Sequence, residues 1–141
     1  MRVSSRADYG VRALFDLAQR FNQGLVQTRE IAYRQAIPET YLHQVLGTLN
    51  RAGLVRSTRG PLGGHAIARD PNGINLYEIL AVLDGPDRHT HPRAVDEDCL
   101  DVVLATWHEL QSRSEEFLKS ITLAFLVERQ RVTEPTVNYV I

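Results

Sequence analysis

The 141-residue chain is 43% apolar and 23% charged, which suits one hydrophobic core with an appendage and not two independent domains. No apolar run approaches the roughly 20 residues that cross a membrane, and no signal-peptide core follows Met1 to Arg6, so a cytoplasmic protein without membrane contact is expected. The single cysteine, Cys99, excludes an intrachain disulfide, and the net charge of −1 divides into +5 over residues 1–70 and −6 over residues 71–141. The basic half is the one suited to meet phosphate.

Along residues 7–21, Ala7, Val11, Leu14, Phe15, Leu17, Ala18 and Phe21 keep an i, i+3, i+4 stripe, which predicts an amphipathic helix ended by Gly24. Thr28 is placed as the N-cap of a short second helix reaching Gln35, with Ile31 and Ala32 turned inward. The corner Ala36-Ile37-Pro38 leads to a third helix, Glu39 to Ala52. Its Tyr41, Leu42, Val45, Leu46 and Leu49 continue the core stripe, and Gly53 offers a left-handed C-cap. Two strand-like runs follow, Leu54 to Thr58 and His65 to Arg69, joined by Arg59-Gly60-Pro61-Leu62-Gly63-Gly64.

Two helices at a sharp corner followed by a Gly-rich hairpin predict a winged helix-turn-helix, mainly α with a small β-wing. In such a motif the second helix lies in the major groove. A tip of small residues with Arg at its edge suits the DNA backbone or the minor groove, where the chain must approach closely.

Asp70 to Gly73 reads as a turn, and Asn75 with Glu78 resembles a capping box opening a short helix through Leu83. Asp84 to Asp98 is the least patterned stretch. From Cys99 onward, Leu100, Val103, Leu104, Trp107, Leu110, Ser114, Phe117, Leu118 and Ile121 recur at spacings of three and four. That predicts one long helix with a single apolar seam. A chain this short leaves the seam little to pack on except a partner helix, so a homodimer is expected, the alternative being a seam folded back on its own domain. Thr122 caps a last short turn, Leu123 to Glu128, and Thr133 to Ile141 reads as a loose tail.

Particular residues carry a family resemblance. They are Asp8-Tyr9-Gly10-Val11-Arg12-Ala13-Leu14, Ile31-Ala32, Tyr41-Leu42, Leu49 and Arg51-Ala52-Gly53-Leu54-Val55. The wing adds Arg59-Gly60-Pro61 and Gly63-Gly64, followed by Leu83-Asp84-Gly85-Pro86 and Ile121-Thr122-Leu123. Over roughly residues 1–130 the chain resembles the IscR/NsrR/CymR family of bacterial transcription regulators, the Rrf-two type. The resemblance implies a homodimer whose long C-terminal helices cross, bound to a pseudo-palindromic double-stranded DNA operator and acting as a repressor. It divides the chain into a DNA-binding domain (1–83), an effector-loop region (84–98), a dimerisation helix region (99–130) and a tail (131–141).

On that resemblance the base-reading face is Glu39, Thr40, His43 and Gln44. Tyr41 offers its hydroxyl to a phosphate, and Arg51 and Arg56 lie along the backbone. Arg59 with Gly60 enters the minor groove, and Thr28 offers a backbone N–H to phosphate. The dimer seam comprises Leu100, Val103, Leu104, Trp107, Leu110, Phe117 and Ile121. Two positions depart from the family pattern: Pro38 stands where a capping Ser is frequent, and His43 where an acid is frequent.

Many family members hold an iron–sulphur cluster on three cysteines between the short and the long helix. Here that region offers one thiol, Cys99, a poor foundation for a cluster, and none is expected. The remaining sensor candidates are Cys99 with His89 and His91, donor types suited to zinc or copper, and Asp8, where some members supply a ligand from the partner chain's first helix. The plainer reading of the histidines is a solvated loop, and Cys99 could instead be a redox thiol, although its acidic neighbours Glu97, Asp98 and Asp101 disfavour the reactive thiolate. No nucleophile–base pair or phosphate loop is visible, so an enzyme is not expected. The competing class is a scaffold whose acidic C-terminal half docks a partner enzyme. The effector is unknown from sequence.

Overall fold

The structure, a computed structural model, describes residues 3–85 and 101–134. Helix α1 (Ser5–Gln19) turns Ala7, Gly10, Ala13, Leu14, Leu17 and Ala18 inward. It starts two residues before the apolar stripe because the Ser4 hydroxyl accepts from the Ala7 N–H at 3.0 Å, a cap that hydrophobic periodicity does not register. Phe21 lies beyond its end and is exposed.

Helix α2 (Thr28–Gln35) corrects one expectation. Its N-cap is Gln27, whose backbone N–H donates to the Glu30 carboxylate at 3.2 Å; Thr28 is the first helical residue. The Thr28 hydroxyl is engaged elsewhere, 2.8 Å from His65 Nε2. At the corner Ala36 is left-handed (φ 53°, ψ 47°), a conformation that costs an L-residue roughly 1–2 kcal/mol and is held by the buried Ile37 after it. Helix α3 (Glu39–Arg51) follows Pro38, which caps without a side-chain hydrogen bond, and it buries Leu42, Val45, Leu46 and Leu49.

The wing pairs β1 (Val55–Thr58) antiparallel to β2 (Gly64–Ile67), with Val55 opposite Ile67 and Thr58 opposite Gly64. Both strands are shorter than their sequence runs. Leu54 is drawn into the core, and its carbonyl accepts from Ala68 rather than from a strand partner. A single bridge between Val26 and His65 ties the chain before α2 to the wing.

Pro71–Gly73 form one 3₁₀ turn before α4 (Leu76–Asp84). Asn75 caps α4 through the Glu78 N–H at 2.9 Å, but the Glu78 carboxylate pairs with Arg69 at 2.6 Å rather than closing the box. Helix α5 (Val102–Ser120) starts at Val102, not Cys99, because Asp101 accepts from the N–H groups of Val103 and Leu104 at 3.1 Å. Ile121 falls just outside its C-terminal end.

Helix α6 (Leu123–Thr133) is three turns long, not the short turn to Glu128 that the sequence suggested. Its first residue, Leu123, is fully buried, and two backbone hydrogen bonds dock it: Leu76 N–H to Ile121 O at 2.9 Å and Leu123 N–H to Ile74 O at 3.0 Å. Its later residues are mostly polar and exposed, which hid it from a periodicity reading. Leu123 joins Leu14, Leu17, Ile31, Leu42, Leu49, Ile74 and Ile79 in one core cluster.

Among the described residues one charged side chain is buried, Asp16 on α1. Arg34 of α2 grips both its oxygens at 2.9 Å, and Gln35 and Arg20 add contacts at 3.3 Å and 3.4 Å. The hydrogen bond to Asp16 is the main reason that the Arg34 pKa is raised above its ordinary value. Removing one partner of a buried pair costs about 3–5 kcal/mol; the partial exposure of Arg34 lowers the expected cost of Asp16→Ala to about 2–3 kcal/mol. A urea midpoint within error of the wild type would contradict this role.

His65 is the second such junction. Its Nε2 meets the Thr28 hydroxyl and its Nδ1 meets the Ser57 hydroxyl at 2.7 Å, so one imidazole spans α2 and β1. Burial, and secondarily repulsion from His43, hold its pKa below the ordinary 6.5. The unfolded chain therefore binds the proton more readily than the folded one, and stability falls as pH drops below about 6.5 towards the lowered folded value. In thermal melts between pH 7.5 and 5.5, His65→Gln is expected to lose less stability on acidification than the wild type. Parallel losses would exclude His65 as the cause.

Candidate nucleic-acid interface

The first two turns of α3 present Glu39, Thr40, His43 and Gln44 to solvent, because Leu42, Val45 and Leu46 fix the opposite face in the core. His43 Nε2 lies 3.9 Å from the Glu39 carboxylate, so acid and imidazole share one patch. Tyr41 is half-buried and meets Tyr9 of α1 edge-on, with ring centroids 5.3 Å apart. That contact sets the angle of the Tyr41 ring from a different helix.

Further along α3, two arginines converge on Thr48. Arg6 of α1 donates to the Thr48 hydroxyl at 2.9 Å and Arg51 at 3.3 Å, while that hydroxyl donates to the Gln44 carbonyl at 3.1 Å. Arg51 was expected here from sequence; Arg6 and Thr48 were not. Arg6 lies 42 positions from Thr48, and only the packing of α1 against α3 brings them together. The one trace of Arg6 in the sequence is its share in the basic balance of the first half.

Thr28 heads α2, with its hydroxyl oriented by His65, and the exposed Arg29 follows it. On the wing, Arg56 and Arg59 are exposed, as is Gly60. Arg56 lines a crevice of about 300 Å³ behind β2, together with Arg20, Phe21, Leu25, Ile67 and Arg69. The Thr28–His65–Ser57 contacts join α2 to the wing, and the Arg6–Thr48 contact joins α1 to α3. The polar surface is thus assembled from four elements rather than from one helix.

The seam residues divide. Val103, Trp107, Leu110 and Phe117 are exposed along α5, with Phe117 at 63%. Leu104 is buried within this chain, the one buried residue of a 19-residue helix, and Ile121 is half-buried. Leu100 lies outside the described residues, as do Cys99, His89 and His91. Of the sensor candidates only Asp8 is described, and Arg12 holds its carboxylate at 3.0 Å. Among the described residues no three His, Cys, Asp or Glu side chains are grouped to hold a metal ion. No helix there is long and apolar enough to cross a membrane.

Known proteins share this architecture. The IscR regulator of Photobacterium profundum is 37% identical over 139 residues, covering 95% of this chain and 80% of that one. The structure of T. potens IscR superposes with a TM-score of 0.80 at 37% identity, covering 95% of this chain and 91% of that one. CymR, the global cysteine regulator of B. subtilis, gives 0.81 at 31% identity, covering 92% and 98%. The family model described as Rrf2, iron-dependent transcriptional regulator, matches residues 3–129. A winged helix-turn-helix with a long C-terminal helix that matches these regulators over nearly its whole length belongs to the Rrf2 family of transcription regulators.

Proposed function

We propose that the chain is a homodimeric repressor that binds a pseudo-palindromic operator in the cytoplasm. The observation that carries this reading is the Arg6–Thr48–Arg51 cluster. It sets two guanidinium groups beside the exposed Glu39–Gln44 face of α3, where a helix in the major groove would meet phosphate on its flank. In the proposal Glu39, Thr40, His43 and Gln44 read base edges. Tyr41, Arg6, Arg51, Arg56 and the N-terminus of α2 at Thr28 position the backbone, and Arg59 with Gly60 enters the minor groove.

The dimer rests on α5. A 19-residue helix that buries only Leu104 in its own chain leaves Val103, Trp107, Leu110 and Phe117 as a stripe for a second copy. Two-fold pairing then places two α3 helices about 34–36 Å apart, one turn of DNA. Trp107→Asp is expected to shift the protein to monomer in sedimentation velocity. A variant that stays dimeric would move the interface elsewhere.

The donor set does not fit the usual cluster of the family. One thiol in the chain cannot supply three cysteine ligands, so no step of this proposal runs through iron. The protein is read as a regulator and not an enzyme. Chelator-treated, iron-free protein is expected to bind DNA selected from its own upstream region, with affinity falling by orders of magnitude between roughly 50 and 200 mM salt. Arg59→Ala should weaken that binding roughly tenfold. An iron requirement would overturn the cluster-free reading, and salt-insensitive or absent binding would overturn the regulator.

A further inference from the structure

The wing tip is a preset turn. The Gly63 N–H donates to the Gly60 carbonyl at 2.9 Å, which makes Pro61 and Leu62 its two central residues, and proline fixes the backbone at the first of them. Gly60 is left-handed at φ 109°, and a Cβ on Gly63 would lie 2.1 Å from the Thr58 carbonyl oxygen. The turn therefore needs glycine at both positions, and in it Leu62 is 92% exposed.

An isolated exposed leucine is ordinary. This one stands on a hydrogen-bonded turn three residues from Arg59, which is itself exposed and makes no ion pair with any described residue. Its other neighbours, Gly60, Pro61 and Gly63, have little bulk. The result is a cationic tip of small residues with an exposed leucine at its end, and small residues are what let a chain approach the floor of a groove only about 6 Å wide.

We propose that Leu62 is an apolar wedge that enters the DNA minor groove beside Arg59 and partly unstacks a base step there. The wedge favours flexible pyrimidine–purine steps, which unstack most readily, at a position that no hydrogen bond reads. Arg59 supplies the attraction to the groove and Leu62 the sensitivity to deformation. The inference rests on the DNA-binding reading above.

The test uses the full-length protein and DNA selected by it from a random-sequence pool, with 2-aminopurine placed at the step facing the wing. Wild type is expected to raise 2-aminopurine fluorescence and to enrich TA or CA at that step. Leu62→Ser should lose roughly fivefold in affinity, together with the fluorescence rise and the step preference. Leu62→Met should keep all three. Leu62→Ser that binds, unstacks and selects as the wild type does would overturn the wedge and leave the DNA reading standing. A wild type that selects no DNA would overturn both.

Discussion

The structure turns on one buried carboxylate. Asp16 sits inside α1 with no exposure, and a charge there is tolerable because Arg34 meets both oxygens at once and Gln35 and Arg20 add to the contact. That geometry fixes the distance and the roll of α2 against α1. The left-handed Ala36 then sets the corner, and α3 takes its direction from that corner together with its own packing on α1, where Arg6 meets Thr48 and Tyr9 meets Tyr41. Apolar packing alone permits small rotations of one helix on another, whereas a bidentate ion pair does not.

The wing is held to this frame by different means. Its two short strands would be marginal as an isolated hairpin. The bridge from Val26 to His65 and the imidazole between Thr28 and Ser57 fasten it to the start of α2. Orientation thus passes from Asp16 through α2 to both parts of the polar surface, the face of α3 and the wing tip. The C-terminal half contributes differently. Leu123 completes the core of the first half, while α5 leaves it with one buried residue and an uncovered apolar stripe. The segment that closes the domain is therefore later in sequence than the segment that extends from it.

Much of this was legible in the sequence. The apolar stripes of α1 and α3, the corner, the Gly-rich hairpin and the seam of α5 are local patterns, and local patterns survive folding. Errors fell at element ends and in α6, where one or two capping hydrogen bonds at Ser4, Gln27 and Asp101 or the docking of Leu123 decide the boundary. Of the polar surface, Glu39, Thr40, His43, Gln44 and Arg59 were visible as exposed positions of a recognised motif. Arg6, Thr48 and the linking role of His65 were not, because each acts through a partner on a separate element.

The sequence by itself determined the winged helix-turn-helix, the basic first half, the long apolar seam and the shortage of thiols, since these follow from periodicity, turn chemistry and composition. Only the tertiary structure decided that Asp16 is the buried anchor, that Arg6 and Arg51 meet on one threonine, and that His65 ties the wing to Thr28. Those are relations between residues distant along the chain. Their energies depend on burial and on distances of a few ångströms, and neither is written in spacing along the chain.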